Sequence, residues 1–337
     1  MTPASHRTTH SHRSFLRSFV ATACAVAFLS LAVAPLAQDA AAQTLSVMRW
    51  IVPFAAGSYT DNIARIIAPG VSERLGQTIV IDNRAGANGI IGADFVAKAA
   101  PDGHTLLVGG ASVNVVNPNV YKSLPYDPVR DLLPVARIGL LPFMLVVNNE
   151  VPAANVAELV AYAKKNPGKL SYGTPNAATL VGMETFKRSA GINIVSVPYK
   201  SSPQAIGDLV GNHVQVAIAD FGIAMPQVKA GKARVLAVTM PRRSALLPEV
   251  PPLADTIPNF DVSAWTGLFM PGKTPPALAT RVFEAMRATL ATPEVRDKLL
   301  SIGFDVQPLG PEDFGNYVRS EIKTWATLVK DAGIQPE

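Results

Sequence analysis

The chain has 337 residues, with 30 lysines and arginines against 25 acids and a formal net charge of +5. Arg7, Arg13, Arg17 and the single acid Asp39 fall in residues 1–42; the rest keeps a mild positive bias without a run of five or six like charges, so composition gives nucleic-acid binding no support. The one cysteine, Cys24, lies in the same leading segment, which excludes disulfides, thiol catalysis and thiolate metal sites from the remainder.

In chain order, a basic stretch over residues 1–18 precedes an apolar run from Phe19 to Ala37 and then Ala40-Ala41-Ala42. A positive start, an apolar middle and a small-residue site predict a secretory signal peptide over 1–42, cleaved on export to the periplasm. Most of the apolar run follows Cys24, which argues against lipidation there. What remains is long enough to bury two cores.

After residue 45 short apolar runs alternate with helical periods. Strands are predicted at 46–53, 78–83, 105–109, 143–148, 170–172, 195–198, 214–220 and 235–239. Helices are predicted at 61–75, 89–99, 155–165, 178–190, 203–210 and 223–230. After a strand near 267–270 the chain turns helical over 276–291, 293–302 and 312–332. Repeated βα units predict an α/β protein with mainly parallel sheets flanked by helices. Proline clusters at 125–142 and 248–258 mark natural crossings between lobes. Two crossings make residues 43–145 plus 266–337 one lobe and 146–265 the other, with a hinged cleft between them.

Catalytic chemistry is sparse. Beyond residue 42 only His104 and His213 remain, both at strand entrances, and they predict no zinc site. No G-x-S-x-G elbow, H-E-x-x-H or calcium loop occurs. Gly86, Gly89 and Gly92 have the wrong spacing for a dinucleotide fingerprint and predict a tight turn with close helix–sheet packing. Neither an enzyme nor a cofactor or metal is expected.

Two loops carry more information. Pro53-Phe54-Ala55-Ala56-Gly57-Ser58-Tyr59-Thr60-Asp61 joins a strand to a helix, with Ser58, Thr60 or Asp61 available as cap. Tyr172-Gly173-Thr174-Pro175-Asn176-Ala177-Ala178-Thr179 does the same in the other lobe. The free N–H groups and dipole at a helix start favour an anion. A facing pair of such loops suits a carboxylate.

Several segments together resemble the Bug-type solute receptors of tripartite tricarboxylate transporters. They are Ile51-Val52-Pro53-Phe54-Ala55-Ala56-Gly57 with Asp61 and Ala64-Arg65, Asn83-Arg84-Ala85-Gly86-Ala87-Asn88-Gly89, and Pro101-Asp102-Gly103-His104-Thr105-Leu106-Leu107. Val197-Pro198-Tyr199-Lys200, Asp208-Leu209, Lys229-Ala230-Gly231-Lys232 with Leu236-Ala237-Val238-Thr239, and Lys330-Asp331-Ala332-Gly333-Ile334 continue the series. The resemblance implies a two-lobed, type II periplasmic-binding-protein (Venus-flytrap) fold. It also implies a monomeric receptor that passes a small carboxylate to integral-membrane transporter subunits. It places ligand contacts at Phe54, Ala55, Ala56, Gly57 and Ser58 and at Thr174, Asn176 and Thr179. Ser112 and Asp220 are expected to line the cleft, and Tyr199 to stand at the hinge or cleft. The same fold would also serve a ligand-sensing partner of a membrane sensor kinase. Two departures alter the expected pincer. Ser58 and Tyr59 stand where the family has a second glycine, and Thr174-Pro175-Asn176-Ala177 replaces a longer glycine-rich loop, with Leu180 in place of a histidine.

Overall fold

The computed structural model describes residues 47–141, 143–244 and 247–336. The leader expected at 1–42, with Cys24, lies outside them. The first sheet opens with β1 (Val47–Val52), whose Trp50, Ile51 and Val52 are fully buried, as a strand covered on both faces requires. Helix α1 (Tyr59–Leu75) starts at the Ser58 cap and buries Ile63, Ile67, Val71 and Leu75 on one stripe. It returns the chain to β2 (Thr78–Asn83), parallel to β1. The glycine triplet then makes the expected tight turn. Residues 86–89 all have positive φ, and a Cβ on Gly92 would stand 2.9 Å from Pro53. Helix α2 (Ile90–Ala97) leads to β3 (Thr105–Gly110), also parallel to β1. A π-helical turn (Ser112–Val116) and the short α3 (Asn117–Val120) follow, then β4 (Leu132–Leu141).

The chain next builds a second sheet from β5 (Phe143–Asn148), β6 (Ser171–Thr174), β7 (Val195–Pro198), β8 (Val216–Asp220) and β9 (Ala233–Val238). Between them lie α4 (Val156–Lys165), α5 (Ala177–Ala190), α6 (Ser202–Val210) and α7 (Phe221–Lys229). It then returns to the first sheet as β10 (Ala264–Pro271), α8 (Pro276–Leu290), α9 (Pro293–Ser301), β11 (Asp305–Leu309) and α10 (Pro311–Asp331). The sheet orders are β11-β4-β10-β3-β1-β2 and β7-β6-β8-β5-β9.

The architecture is two-lobed and α/β, and both sheets are mixed. The βα units pair in parallel as expected (β1 with β2 and β3, β6 with β7 and β8). Strands next to the crossings run the other way: β5 is antiparallel to β8 and β9, and β10 to β3 and β4. A strand that enters a sheet from the neighbouring lobe has no crossover helix to reverse it, so parallel pairing is not imposed. Among the missed strands, β4 sits in the proline cluster and β11 is a half-exposed edge carrying Pro308, where proline is tolerated.

One residue stitches the two crossings together. The N–H of the fully buried Thr239 donates to the Phe143 carbonyl at 3.0 Å. Its hydroxyl donates to the Val262 carbonyl at 2.5 Å. The Val262 N–H returns to the Thr239 carbonyl at 3.2 Å. Thr239→Val keeps the volume but leaves the Val262 carbonyl without the hydroxyl, which should cost about 1–3 kcal/mol. Urea unfolding of the variant against the parent measures it.

Candidate functional site

Four helices begin directly after the carboxyl ends of β1, β6, β7 and β8: α1 at Tyr59, α5 at Ala177, α6 at Ser202 and α7 at Phe221. Their N-cap residues, Ser58, Asn176, Ser201 and Asp220, all line one cavity of about 30 Å³ between the lobes. Ligand sites in open α/β sheets lie at this edge, beyond the carboxyl ends of parallel strands. Phe54, Tyr59 and Thr60 complete the wall from the first lobe, and Pro175 and Ser202 from the second. No lysine, arginine or histidine is among these lining residues.

Each loop is held by its own sequence. Ser58 Oγ accepts from the Asp61 N–H at 3.3 Å. Asp61 Oδ2 accepts from the Gly57 N–H at 2.8 Å and from Arg65 Nε at 2.9 Å. Asn83 Nδ2 donates to Asp61 Oδ1 at 2.9 Å and to the Phe54 carbonyl at 3.1 Å. The Phe54–Ser58 loop is therefore braced from both ends before any ligand arrives. Burial pushes the Asp61 carboxyl up, but hydrogen bonds from Arg65, Gly57 and Asn83 outweigh it and hold the group below its ordinary value. A lowered folded-state value means that this stabilisation is present above the unfolded carboxylate pKa of about 3.9 and is lost as pH falls through the folded value. Asp61→Asn should cost about 1.5–3 kcal/mol at pH 7, and the difference from the parent should shrink at pH 3. Urea titrations at both pH values check the pair of expectations.

On the other side, Asn176 Oδ1 accepts from the Thr179 N–H at 3.0 Å and caps α5. Ser112, at the start of the π-helical turn, spans the lobes: its hydroxyl donates to Asn176 Oδ1 at 3.2 Å and accepts from the Ala178 N–H at 3.2 Å. The caps of α6 and α7 differ, because neither Ser201 nor Asp220 bonds the first turn of its own helix through its side chain. Asp220 is instead 6% exposed and accepts from the Ser202 hydroxyl at 2.7 Å. Burial raises its pKa, and the Ser202 hydrogen bond opposes that rise. Tyr59 donates to the Ile302 carbonyl at 2.9 Å; burial, and after it the nearby Asp220 carboxylate, push its phenol up.

The structure brings Phe54, Ser58, Asn176 and Asp220 to one cavity. Ala55, Ala56 and Gly57 form the turn behind Phe54, where Ala55 accepts from the Ser58 N–H at 3.1 Å. Ser112 bridges the lobes beside Asn176. Three other expected residues point elsewhere. Thr174 Oγ1 bonds back to the Val197 carbonyl at 3.3 Å, along its own sheet. Thr179 is fully buried and turns its hydroxyl onto the Asn176 carbonyl at 2.9 Å. Tyr199 donates to Asp208 at 2.7 Å, with its ring lying over Gly173.

Sequence reasoning did not single out Tyr59, Thr60, Pro175, Ser201 or Ser202 as site residues. The Ser201-Ser202-Pro203 run is a legible helix start, and three strand–helix junctions in one lobe could have suggested a shared focus. Tyr59 and Pro175 are the residues at the two departures noted above, and both fill the cleft. A larger groove, of about 710 Å³, runs along α1, α8 and α9 and carries Arg65, Arg74 and Lys298 beside Glu73 and Glu294. Its charges are mixed and it lies within the first lobe, whereas the small cavity has four helix starts aimed at it. Among the described residues no cluster of three histidine, cysteine or acidic side chains could hold a metal. No described helix is long and apolar enough to cross a membrane.

Residues 63–334 match the sequence family described as "Tripartite tricarboxylate transporter family receptor". Protein BugT of Bordetella pertussis is 31% identical over 315 residues, covering 92% of this chain and 97% of BugT. A Rhodopseudomonas palustris protein solved with adipate superposes with a TM-score of 0.84 at 34% identity, covering 88% of this chain and 100% of that one. MatC from Rhodopseudomonas palustris, with bound malate, gives a TM-score of 0.80 at 30% identity, covering 85% of this chain and 99% of MatC.

Proposed function

Because the chain belongs to the tripartite tricarboxylate transporter receptor family, we propose that it is a periplasmic receptor that closes on a small organic carboxylate and delivers it to integral-membrane transporter subunits. The observation that carries this reading is the convergence of four helix N-termini, from both lobes, on one cavity that no lysine, arginine or histidine lines among the described residues. Each helix start favours an anion by about 0.3–1 kcal/mol, and up to about 2 when partly buried. Hydrogen bonds to a charged group add about 1.5–3 kcal/mol each. A few such contacts reach about −8 kcal/mol, a micromolar dissociation constant. Relatives of known structure hold adipate and malate, which supports the same ligand chemistry here.

The residues divide by role. Phe54, Ser58, Asn176 and Asp220 meet the ligand, the Ala55–Gly57 turn shapes its pocket, and Ser112 locks the lobes together. Thr174, Thr179 and Tyr199 keep the second loop in place from behind. The cavity of about 30 Å³ has room for one or two water molecules. The lobes must therefore part to admit an organic acid and then settle around it, and the transporter reads that change. The protein works as a monomer without turnover, after removal of its leader on export.

A thermal-shift screen of the leaderless protein against organic acids tests the reading. A ligand at 100 times its dissociation constant should stabilise the fold by about 2.7 kcal/mol. If neutral sugars or cations raise the melting temperature and no acid does, the carboxylate assignment fails.

A further inference from the structure

Strand β3 hands the chain on through a turn wound more loosely than an α-helix. Over Ser112–Val116 the turn is π-helical, and the Asn117 N–H reaches five residues back to the Ser112 carbonyl. An α-helical turn would send that N–H to the Val113 carbonyl, four residues back. In the π register the Val113 carbonyl falls to residue 118, but Pro118 has no N–H to give. Tyr126 fills the gap from outside the turn: it is 3% exposed, and its hydroxyl donates to the Val113 carbonyl at 2.7 Å. Asn119 Nδ2 supplies a second donor, to the Val115 carbonyl at 2.8 Å. Tyr126 arrives on a stiff segment, with prolines at 125 and 128 and the Asp127 carboxylate accepting from the Val129 and Arg130 N–H groups at 2.9 and 3.0 Å. The turn's own side chains do not secure it. Asn114 Nδ2 and Asn117 Oδ1 are buried without a hydrogen-bond partner among the described residues, so the register depends on donors from elsewhere.

The register matters most at its first residue. Ser112 opens the turn, and across the lobes its hydroxyl donates to Asn176 Oδ1 and accepts from the Ala178 N–H, both at 3.2 Å. The far end of the turn is anchored, with Asn117 Nδ2 on the Asn88 carbonyl at 3.1 Å and Asn119 Nδ2 also on the Ile322 carbonyl at 3.2 Å. We propose that Tyr126, with Asn119 beside it, is a positioning residue for ligand capture: it holds the turn in the π register, and that register presents Ser112 to the second lobe. Without the phenol hydroxyl the Val113 carbonyl takes the Asn117 N–H and the turn rewinds. Because Asn117 is anchored, the displacement falls on Ser112 and takes its hydroxyl away from Asn176 and Ala178. The closed form then loses a contact between the lobes, and affinity falls with the closed fraction. Tyr126 acts from outside the cavity, since it is not among the lining residues. The inference rests on the receptor reading and deepens it with a residue that sets closure.

Crystal structures and calorimetry of Tyr126→Phe, Ser112→Ala and the double variant, all in the full leaderless chain, provide the test, with malate, succinate and adipate as probes. In Tyr126→Phe the Asn117 N–H should move to the Val113 carbonyl, and Ser112 should leave Asn176 and Ala178. Affinity for the best-binding probe should fall about fivefold, the size of one lost hydrogen bond, and Ser112→Ala should lose a similar amount. The double variant should bind within about twofold of Ser112→Ala, because both changes break the same contact, whereas independent losses would multiply to about 25-fold. Multiplied losses overturn the proposal, as does an Asn117 N–H still on the Ser112 carbonyl in Tyr126→Phe. A lower melting temperature with parental affinity also overturns it, since that is the mark of a purely structural tyrosine. If Tyr126→Phe does not fold, Asn119→Ala removes the donor to Val115 and runs the same cycle under the same criteria. If no probe binds the parent, the receptor reading fails separately, and the register seen in the crystals still decides the role of Tyr126.

Discussion

Gly222→Ala should weaken binding of the strongest acid from the screen at least tenfold, while the ligand-free protein melts within about 2 °C of the parent. Gly222 lies in the first turn of α7, in the second lobe. A Cβ there would sit 2.3 Å from the Tyr59 ring and 2.8 Å from the Ile302 carbonyl, both in the first lobe. Tyr59 cannot swing aside cheaply, because it is 2% exposed and its hydroxyl is bonded to that same carbonyl. Within α7 itself alanine is the better helix former, by up to about 1 kcal/mol. The substitution therefore leaves each lobe intact and penalises only their approach. A ligand whose affinity depends on the closed form loses affinity in proportion to the closed fraction. Small-angle scattering supplies the second readout: the contraction on adding ligand should disappear in the variant. Unchanged affinity together with normal contraction would show that this contact does not form on closure.

The largest effect on stability is expected at Trp265, the second residue of β10 and 1% exposed. Its ring meets Phe314 edge-on at 5.3 Å, Tyr317 at 5.9 Å and Phe269 at 6.2 Å, and Phe269 and Phe314 are 5.0 Å apart. This aromatic group fastens α10 to the first sheet. It also anchors the strand by which the chain returns from the second lobe. Trp265→Ala should cost about 3–5 kcal/mol, lowering the melting temperature by roughly 6–20 °C at two to four degrees per kcal/mol. Trp265→Phe keeps most of the ring contacts and should cost clearly less. Trp265 does not line the cavity, so the folded fraction of the alanine variant should bind ligand with parental affinity. A loss below about 1 kcal/mol would mean that the cluster repacks around the gap.

Much of the secondary structure was legible because each segment carries its own instructions. The buried run Trp50–Val52, the Ser58 cap and the Ile63–Leu75 stripe specify β1 and α1 locally. Asn176 followed by small residues does the same for α5. The strands β4 and β11 were not legible, since one lies within the proline cluster and contains Pro134 and the other is a half-exposed edge held mainly by its pairing with β4. The antiparallel pairs were hidden for a related reason. Which neighbour a strand meets on entering a sheet is decided by distant segments, and its own residues favour a strand in either direction.

The candidate site shows the same division. The two strand–loop–helix units with their caps could be read from the chain, because capping is a contact between residues three apart. That Ser58, Asn176, Ser201 and Asp220 share one cavity depends on two sheets presenting the carboxyl ends of their parallel strands to each other across the crossings that Thr239 ties together. Thr174 and Thr179 have the chemistry of ligand contacts, yet each has a nearer carbonyl to satisfy and turns toward it. Tyr59 and Ser202 line the cavity only because the opposite lobe, or a neighbouring helix, arrives beside them. The sequence by itself determined the anion-favouring helix starts, since these are local backbone geometry. Only the tertiary structure decided that four of them share one cavity, because burial and long-range contact belong to the packed lobes and to no segment alone.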